Sequence, residues 1–252
     1  MTDWMRYGAA GLAATVLPFL CTSTGAAAVF LTRPGGGAKR MRALLGFAAG
    51  VMLAASVFSL LLPAAQQAEA LGVPGWAAAC GGFAAGAAFL LALDRLLART
   101  GGRRRRLAGF AITLHNLPEG MAVGLAAALA LKSGVGLAAG AGALALGVGI
   151  QNLPEGAAVS LPRCQQGGSR PRAFLAGVLS GLPEPAGGFA AGALAGLAAP
   201  ALPWMLAFAA GAMVYVSAEE LIPTASAGED RAGTLGLLAG FVLMMALDMA
   251  LG

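Results

Sequence analysis

The sequence contains few charged side chains. Only 11% of its 252 residues are Asp, Glu, Lys or Arg, whereas soluble globular domains carry about 25%. Hydrophobic residues make up 58% of the chain, and runs without any charge cover residues 7–32, 43–68 and 70–93. Each run exceeds the roughly 20 apolar residues that cross a bilayer as a helix. The composition therefore excludes a soluble globular protein and predicts an all-α integral membrane protein.

Histidine and cysteine are also scarce. His115 is the one histidine, and the three cysteines, Cys21, Cys80 and Cys164, are widely separated. Such spacing argues against a Cys/His zinc cluster or a disulfide framework. A single histidine also argues against an intramembrane zinc protease, which typically carries a His-Glu-x-x-His motif.

Charges, prolines and glycine-rich turns divide the chain into eight candidate membrane spans. No soluble domain fits between them, so we expect residues 1–252 to form one polytopic transmembrane domain. The sixth and seventh spans are expected to be separated at Pro200 and Pro203, because proline does not continue the hydrogen bonding of a helix. The spans cover about residues 8–32, 42–65, 73–97, 107–131, 134–161, 172–198, 202–223 and 233–251.

The basic residues are concentrated on one side of these spans. Thirteen of the sixteen lie in or beside the connections after the first, third and fifth spans. Because Lys and Arg mark the cytoplasmic side of short loops, both termini are expected to face outward from a cell (inner) membrane. The net charge of +5 then reflects topology and contact with the lipid bilayer, and we expect no nucleic-acid partner. The thirteen are Arg33, Lys39, Arg40, Arg42, Arg95, Arg99, Arg103, Arg104, Arg105, Arg106, Arg163, Arg170 and Arg172.

The fourth and fifth spans carry the same motif, Asn-Leu-Pro-Glu-Gly. It lies at residues 116–120 and again at 152–156. In each copy, the residue before the motif and the glutamate within it are four residues apart, so both lie on one face of a helix. Because neighbouring spans run in opposite directions, the repeat presents similar side chains to one central site. The candidate ligands are His115, Asn116, Glu119, Gln151, Asn152 and Glu155.

A further glutamate, Glu184, follows a proline near the middle of the sixth span. A charged group at the bilayer centre costs at least about 2.5–3.5 kcal/mol, so acids tolerated there indicate a functional site. Three neighbouring carboxylates at low dielectric do not all stay ionised without a cation. Imidazole and carboxylate together suit first-row transition metals better than calcium or magnesium. These residues predict a transition-metal site inside the membrane.

Other interpretations are open at this point. A single Pro-Glu pair could form a kink with a protonated, internally bonded carboxyl group, and Met52 in the second span could be a packing residue. A proton-coupled carrier of another solute would need no repeated metal ligands. An intramembrane metalloenzyme would need three firm ligands and a separate general base, so we expect no enzyme.

The motifs resemble the ZIP (Zrt/Irt-like) family of divalent metal transporters, and more closely its GufA-like branch. The resemblance covers all eight spans and includes Ala-Gly-Val-Met-Leu-Ala-Ala-Ser at 49–56, Gly-Leu-Pro-Glu-Pro at 181–185 and Ser-Ala-Glu-Glu-Leu-Ile-Pro at 217–223. It implies a 3+2+3 inverted-repeat arrangement, both termini extracytoplasmic, a homodimer, and elevator-type movement of helices 1, 4, 5 and 6 against the others. The implied cargo is zinc, with cadmium, manganese, iron and cobalt as further candidates, moving toward the cytoplasm.

The resemblance also implies a site for two metal ions midway across the membrane. Many family members have histidine at the position of Gln151, and some have aspartate at that of Asn152, so this chain offers fewer charged ligands at its second metal. One metal would bind Met52, His115, Glu119, Gln151 and Glu155, and its neighbour would bind Asn116, Glu119, Asn152, Glu155 and Glu184, with both motif glutamates bridging.

Four acidic residues lie nearer the ends of the spans. Asp94, Glu219 and Glu220 fall near the cytoplasmic ends of the third and seventh spans, and Asp248 falls near the outer end of the eighth. We expect the first three to receive the ion as it leaves and Asp248 to help it enter. The alternative is a position at the membrane interface, where charged side chains extend toward water or pair with a neighbour such as Arg95.

The predicted orientation can be tested by labelling. A cysteine introduced at Gly102, in the basic connection after the third span, should react with a membrane-impermeant maleimide only when the cytoplasmic side is opened. Labelling of intact cells from outside would show that the orientation is wrong.

Overall fold

The computed structural model describes residues 2–31, 37–99, 104–134, 136–165 and 167–251. Within these ranges only the backbone is described at 97–99, 104–115, 139–140, 197–198 and 251. The described chain is helical and contains no strand, so the predicted all-α class is confirmed. Three residues used in the topology argument, Arg33, Gly102 and Arg103, lie outside the described residues.

The described segments form eight helices. Five of them, here α1, α2, α3, α7 and α8, are long and apolar enough to cross a membrane in the part of the chain that the structure describes. The helices are α1, Asp3–Ala26 and Ala28–Leu31; α2, Ala38–Ala55, Ser56–Leu61 and Leu62–Ala70; α3, Gly75–Arg99; α4, Arg104–Lys132; α5, Leu137–Gln165; α6, Arg170–Gly181 and Pro183–Ala193; α7, Ala195–Val216, Ser217–Leu221 and Ile222–Ala225; and α8, Ala232–Leu251.

The boundary between α6 and α7 differs from the sequence prediction. The helices are separated at Leu194, whose backbone leaves the helical conformation (φ −104°, ψ 26°). Pro200 and Pro203 lie inside α7, so the prediction of a break at these prolines was wrong. Proline is tolerated within membrane helices because neighbouring groups or small backbone adjustments satisfy the freed carbonyl.

The eight helices pack as two groups. One group consists of α1, α4, α5 and α6, and the other consists of α2, α3, α7 and α8. The groups meet where α4 contacts α3 and α7, and where α5 contacts α2 and α8. Both copies of the repeated motif therefore lie on helices that form the boundary between the groups.

Glycines allow α2 and α8 to pack backbone against backbone. A Cβ atom at Gly46 or Gly50 of α2 would collide with carbonyl oxygens of α8, and one at Gly236 or Gly240 of α8 would collide with carbonyl oxygens of α2. Lipid chains are as apolar as leucine, so helix association in a bilayer depends on such close packing rather than on hydrophobic burial.

Two helices contain a π-helical turn followed closely by proline. The turn in α2 covers Ser56–Leu61 and precedes Pro63, and the turn in α7 covers Ser217–Leu221 and precedes Pro223. Such turns widen the helix locally and are frequent at functional sites. α2 and α7, the second helix from each end of the chain, thus share a local irregularity that the sequence analysis did not predict.

An ion pair joins the start of α2 to the loop before α8. The Arg42 guanidinium contacts the Asp230 carboxylate, and Asp230 Oδ1 also accepts a hydrogen bond from the backbone N–H of Ala232, 3.0 Å away. These interactions lower the pKa of Asp230 below its ordinary value, and the hydrogen bond from Arg42 is the largest cause. The pair thus links the start of α2 to the loop before α8.

Alanine substitutions at two helical glycines should differ in their effect on stability. Gly50→Ala should lower the thermal unfolding midpoint in detergent, because its methyl group would collide with the α8 backbone, and overpacking costs about 1–3 kcal/mol. Gly147→Ala in α5 is the matched control, because no described atom lies within 4 Å of a Cβ built there. Equal midpoints for both variants would contradict this account of the packing.

Candidate metal centre

Three glutamates are buried inside the group formed by α1, α4, α5 and α6. Glu119 lies on α4, Glu155 on α5 and Glu184 on α6, and their exposed fractions are 0%, 1% and 0%. The amides predicted to accompany them, Asn116, Asn152 and Gln151, are also fully buried. Buried carboxyl groups are costly without charged or hydrogen-bonding partners, so this concentration needs a compensating interaction.

A side-chain hydrogen bond joins the two copies of the motif. Gln151 Nε2 on α5 donates to Glu119 Oε1 on α4, with a donor–acceptor distance of 2.8 Å. This bond brings the residue before the second motif to the glutamate of the first. The sequence prediction that the two copies meet at one place is thus supported by a direct contact.

Asn116 is fixed to the third helix of the centre. Its Nδ2 donates to the backbone carbonyl of Ser180 on α6 over 2.8 Å. That carbonyl lies shortly before the interruption at Leu182, where α6 divides into two segments. The interrupted helix therefore supplies both a carbonyl that orients Asn116 and, two residues beyond Leu182, the carboxylate of Glu184.

Glu184 occupies the first turn of the second α6 segment, between Pro183 and Pro185. A helix N-terminus carries partial positive charge and stabilises an anion there. Glu184 Oε1 accepts a hydrogen bond from the Thr22 hydroxyl on α1, 3.0 Å away. Glu155 of the second motif lies close enough to Glu184 for the two carboxyl groups to repel each other when both are charged. The third glutamate is therefore adjacent to the second motif, as the sequence analysis expected.

Three of these side chains share an arrangement of their polar atoms. Gln151, Asn116 and Glu184 each have one atom held by the hydrogen bonds given above. Their remaining oxygens, Gln151 Oε1, Asn116 Oδ1 and Glu184 Oε2, are buried and have no hydrogen-bond partner among the described residues. An unpaired buried polar group costs about 1–3 kcal/mol. Oxygens of this kind are suitable ligands for a divalent cation.

The glycine of each motif brings the backbone of a third helix close to the centre. A Cβ atom at Gly120 would collide with the backbone of Glu184 on α6, and one at Gly156 would collide with the carbonyl oxygen of Thr22 on α1. The two glycines therefore contact different helices although their motifs are alike. Any larger residue would push α6 or α1 away from the glutamate one residue before the glycine.

Two predicted ligands of the first metal, Met52 and His115, are not part of the set of buried polar side chains described above. Met52 is fully buried on α2, which belongs to the other helix group and contacts α5. The backbone of His115 is helical, one turn before Glu119, but its side chain lies outside the described residues. Among the side chains that are described, no three His, Cys, Asp or Glu residues come together closely enough to hold a metal. A metal here would need amide ligands or His115 in addition.

The four acids assigned to the transport pathway lie in the other helix group. Asp94 is partly buried near the end of α3, and Glu219 and Glu220 lie in the π-helical turn of α7. Asp248 in α8 accepts a hydrogen bond from Ser59 Oγ, 2.6 Å away, in the π-helical turn of α2. The structure therefore places one of these acids, Asp248, in contact with a helical irregularity of a neighbouring helix.

Sequence analysis missed Thr22 and Ser59, which hydrogen bond to Glu184 and Asp248. Both are ordinary hydroxyl residues within apolar runs and belong to no repeated motif. Their partners lie more than 160 residues away along the chain. A local pattern gives no information on such a pairing, so only the packed structure reveals it.

The chain is similar to proteins of one family. The family described as ZIP zinc transporter matches residues 104–248. "Zinc transporter ZIPB" of Bordetella bronchiseptica is 41% identical, over 97% of this chain and 80% of its own length. "Zinc transporter GufA" of Myxococcus xanthus is 37% identical, over 96% and 99% respectively, and "Zinc transporter ZIP11" of Xenopus tropicalis is 34% identical, over 96% and 97%. The resemblance seen in the motifs is thereby confirmed, and the chain belongs to the ZIP zinc transporter family.

Proposed function

We propose that this protein moves zinc toward the cytoplasm through the centre between α4, α5 and α6. Family membership makes it a metal-ion transporter rather than an enzyme, and its apolar helices make it a multi-pass membrane protein. Three relatives that cover most of the chain are named zinc transporters. Zinc is therefore the first cargo to test, and cadmium, manganese, iron and cobalt are further candidates that the same ligand types accept.

One observation carries this proposal. Three carboxylates and three amides are buried on helices of one group. Four of these side chains, Asn116, Gln151, Asn152 and Glu184, have an oxygen without a hydrogen-bond partner in the described part of the chain. A cation would neutralise the carboxylates and satisfy those oxygens at once. In the proposed centre, two metals share Glu119 and Glu155. The first also takes Met52, His115 and Gln151, and the second takes Asn116, Asn152 and Glu184.

Transport requires the ion to lose water on one side and to regain it on the other. The buried ligands replace the water shell, and because they bind metal in the deprotonated state, protons compete with zinc for them. In the proposed mechanism, α1, α4, α5 and α6 move together against the other four helices in an elevator-type step. The grouping of helices supports this proposal, since the motifs lie on α4 and α5, which contact the other group.

The proposed topology is a 3+2+3 arrangement with both termini outside an inner membrane, in a homodimer. Internal similarity supports the inverted repeat of the first and last three helices. α2 and α7, the second helix of each set of three, each contain a π-helical turn followed closely by proline. Interrupted helices in corresponding positions of two repeats are typical of transporters.

The outer acids serve as a pathway in this proposal. Asp248, held by Ser59, receives the ion from outside, and Asp94, Glu219 and Glu220 bind it as it leaves toward the cytoplasm. The partial burial of Asp248 and its bond to the π-helical turn of α2 support a role beyond surface solvation.

Removal of central ligands should abolish transport. Glu119→Gln and His115→Ala should each lower the initial rate of zinc uptake into proteoliposomes by at least tenfold, because the first removes the negative charge of a bridging carboxylate and the second removes an imidazole ligand. Glu69→Gln is the matched control, because Glu69 is exposed at the end of α2 and should retain the rate within twofold. Unchanged zinc flux in both central variants would refute the central site.

A further inference from the structure

A buried threonine contacts the carboxylate of Glu184. Thr22 on α1 has no exposed surface, and its Oγ1 lies 3.0 Å from Glu184 Oε1 and 3.2 Å from the carbonyl oxygen of Pro18. The bond to Pro18 spans one helical turn, whereas the bond to Glu184 joins α1 to α6. Because the hydroxyl carries one hydrogen, the two acceptors compete for it, and the shorter distance is the one to Glu184.

The position of this hydroxyl is strongly restricted. Threonine is branched at Cβ, and in a helix its Oγ1 favours rotamers that bond to the carbonyl of the preceding turn. The Cβ and Cγ2 atoms of Thr22 face Gly181 of α6, where an added Cβ would lie 3.1 Å from each. The Thr22 carbonyl oxygen packs against Gly156 of the second motif. A side chain at Gly181 or Gly156 would therefore press against the side chain or the backbone of Thr22.

Thr15, two turns earlier on α1, provides an internal comparison. It is equally buried, and it packs against Gly188 of α6 as Thr22 packs against Gly181. Its hydroxyl bonds to the carbonyls of Gly11 and Leu12, at 3.0 Å and 2.9 Å. The two threonines thus share a helix face, a partner helix and a backbone bond, but only Thr22 has a recorded bond to a carboxylate.

From this geometry we infer that Thr22 is a positioning residue for Glu184. It fixes Oε1 and so directs Oε2, which has no hydrogen-bond partner among the described residues, toward the metal. The inference rests on the proposed function, in which Glu184 binds the second metal. Thr22 itself binds no metal. Because it holds the Glu184 side chain in place beforehand, Glu184 loses less conformational entropy when the metal binds.

The test compares four variants of the full chain by zinc uptake into proteoliposomes and by zinc binding to detergent-purified protein. Thr22→Val keeps the shape and removes the hydroxyl, so we expect the apparent KM and the Kd for zinc to rise about tenfold, the effect of losing one hydrogen bond to a charged group. Thr22→Ser should restore both values to within twofold of the native protein. Thr15→Val should change neither by more than twofold, and Glu184→Gln should weaken binding at least as much as Thr22→Val.

Each outcome decides between the hypotheses. If Glu184→Gln weakens zinc binding but Thr22→Val does not, the positioning role is wrong while the proposed site stands. Equal losses in Thr22→Val and Thr15→Val would show a general packing effect and overturn the inference. If Glu184→Gln leaves binding and uptake unchanged, the proposed second metal site fails, and the role of Thr22 fails with it. Thermal unfolding midpoints for all variants separate binding effects from loss of fold.

Discussion

The packing of the four helices α1, α4, α5 and α6 has to accommodate three buried carboxyl groups. In a nonpolar interior such groups are stable only with hydrogen-bond donors, a helix N-terminus or a cation nearby. The fold provides the first two for Glu119 and Glu184 through Gln151, Thr22 and the start of a helical segment. In the proposed function, a metal ion as cargo would supply the third, and only for as long as it is bound.

This arrangement explains why so much of the chain is small and apolar. Glycine accounts for 39 residues, and several of these glycines allow one helix to touch the backbone of another. The motif glycines bring α1 and α6 within reach of the glutamates, whereas those of α2 and α8 hold the opposite group together. Close helix packing at glycines therefore shapes both the centre and the group of helices against which the centre is proposed to move.

The helical class, the repeated motif and the burial of its acids could be predicted from the sequence. Composition determines the class, and charged residues inside an apolar run are conspicuous. The break at Leu194 was missed because the helices were expected to end at proline. Membrane helices tolerate proline in their interior, so that expectation failed here. The π-helical turns, the bond from Gln151 to Glu119 and the role of Thr22 depend on which helices become neighbours, and no local pattern encodes that. The pathway acids, the dimer and the two-metal ligand set stay predictions.

The most direct test of the central claim is anomalous diffraction at the zinc absorption edge from crystals of the full chain grown with zinc. We expect anomalous density between α4, α5 and α6, with carboxylate oxygens of Glu119 and Glu155 at about 2.0–2.2 Å from the metal. Zinc density confined to acids near the helix ends, with the centre empty at saturating zinc, would contradict it.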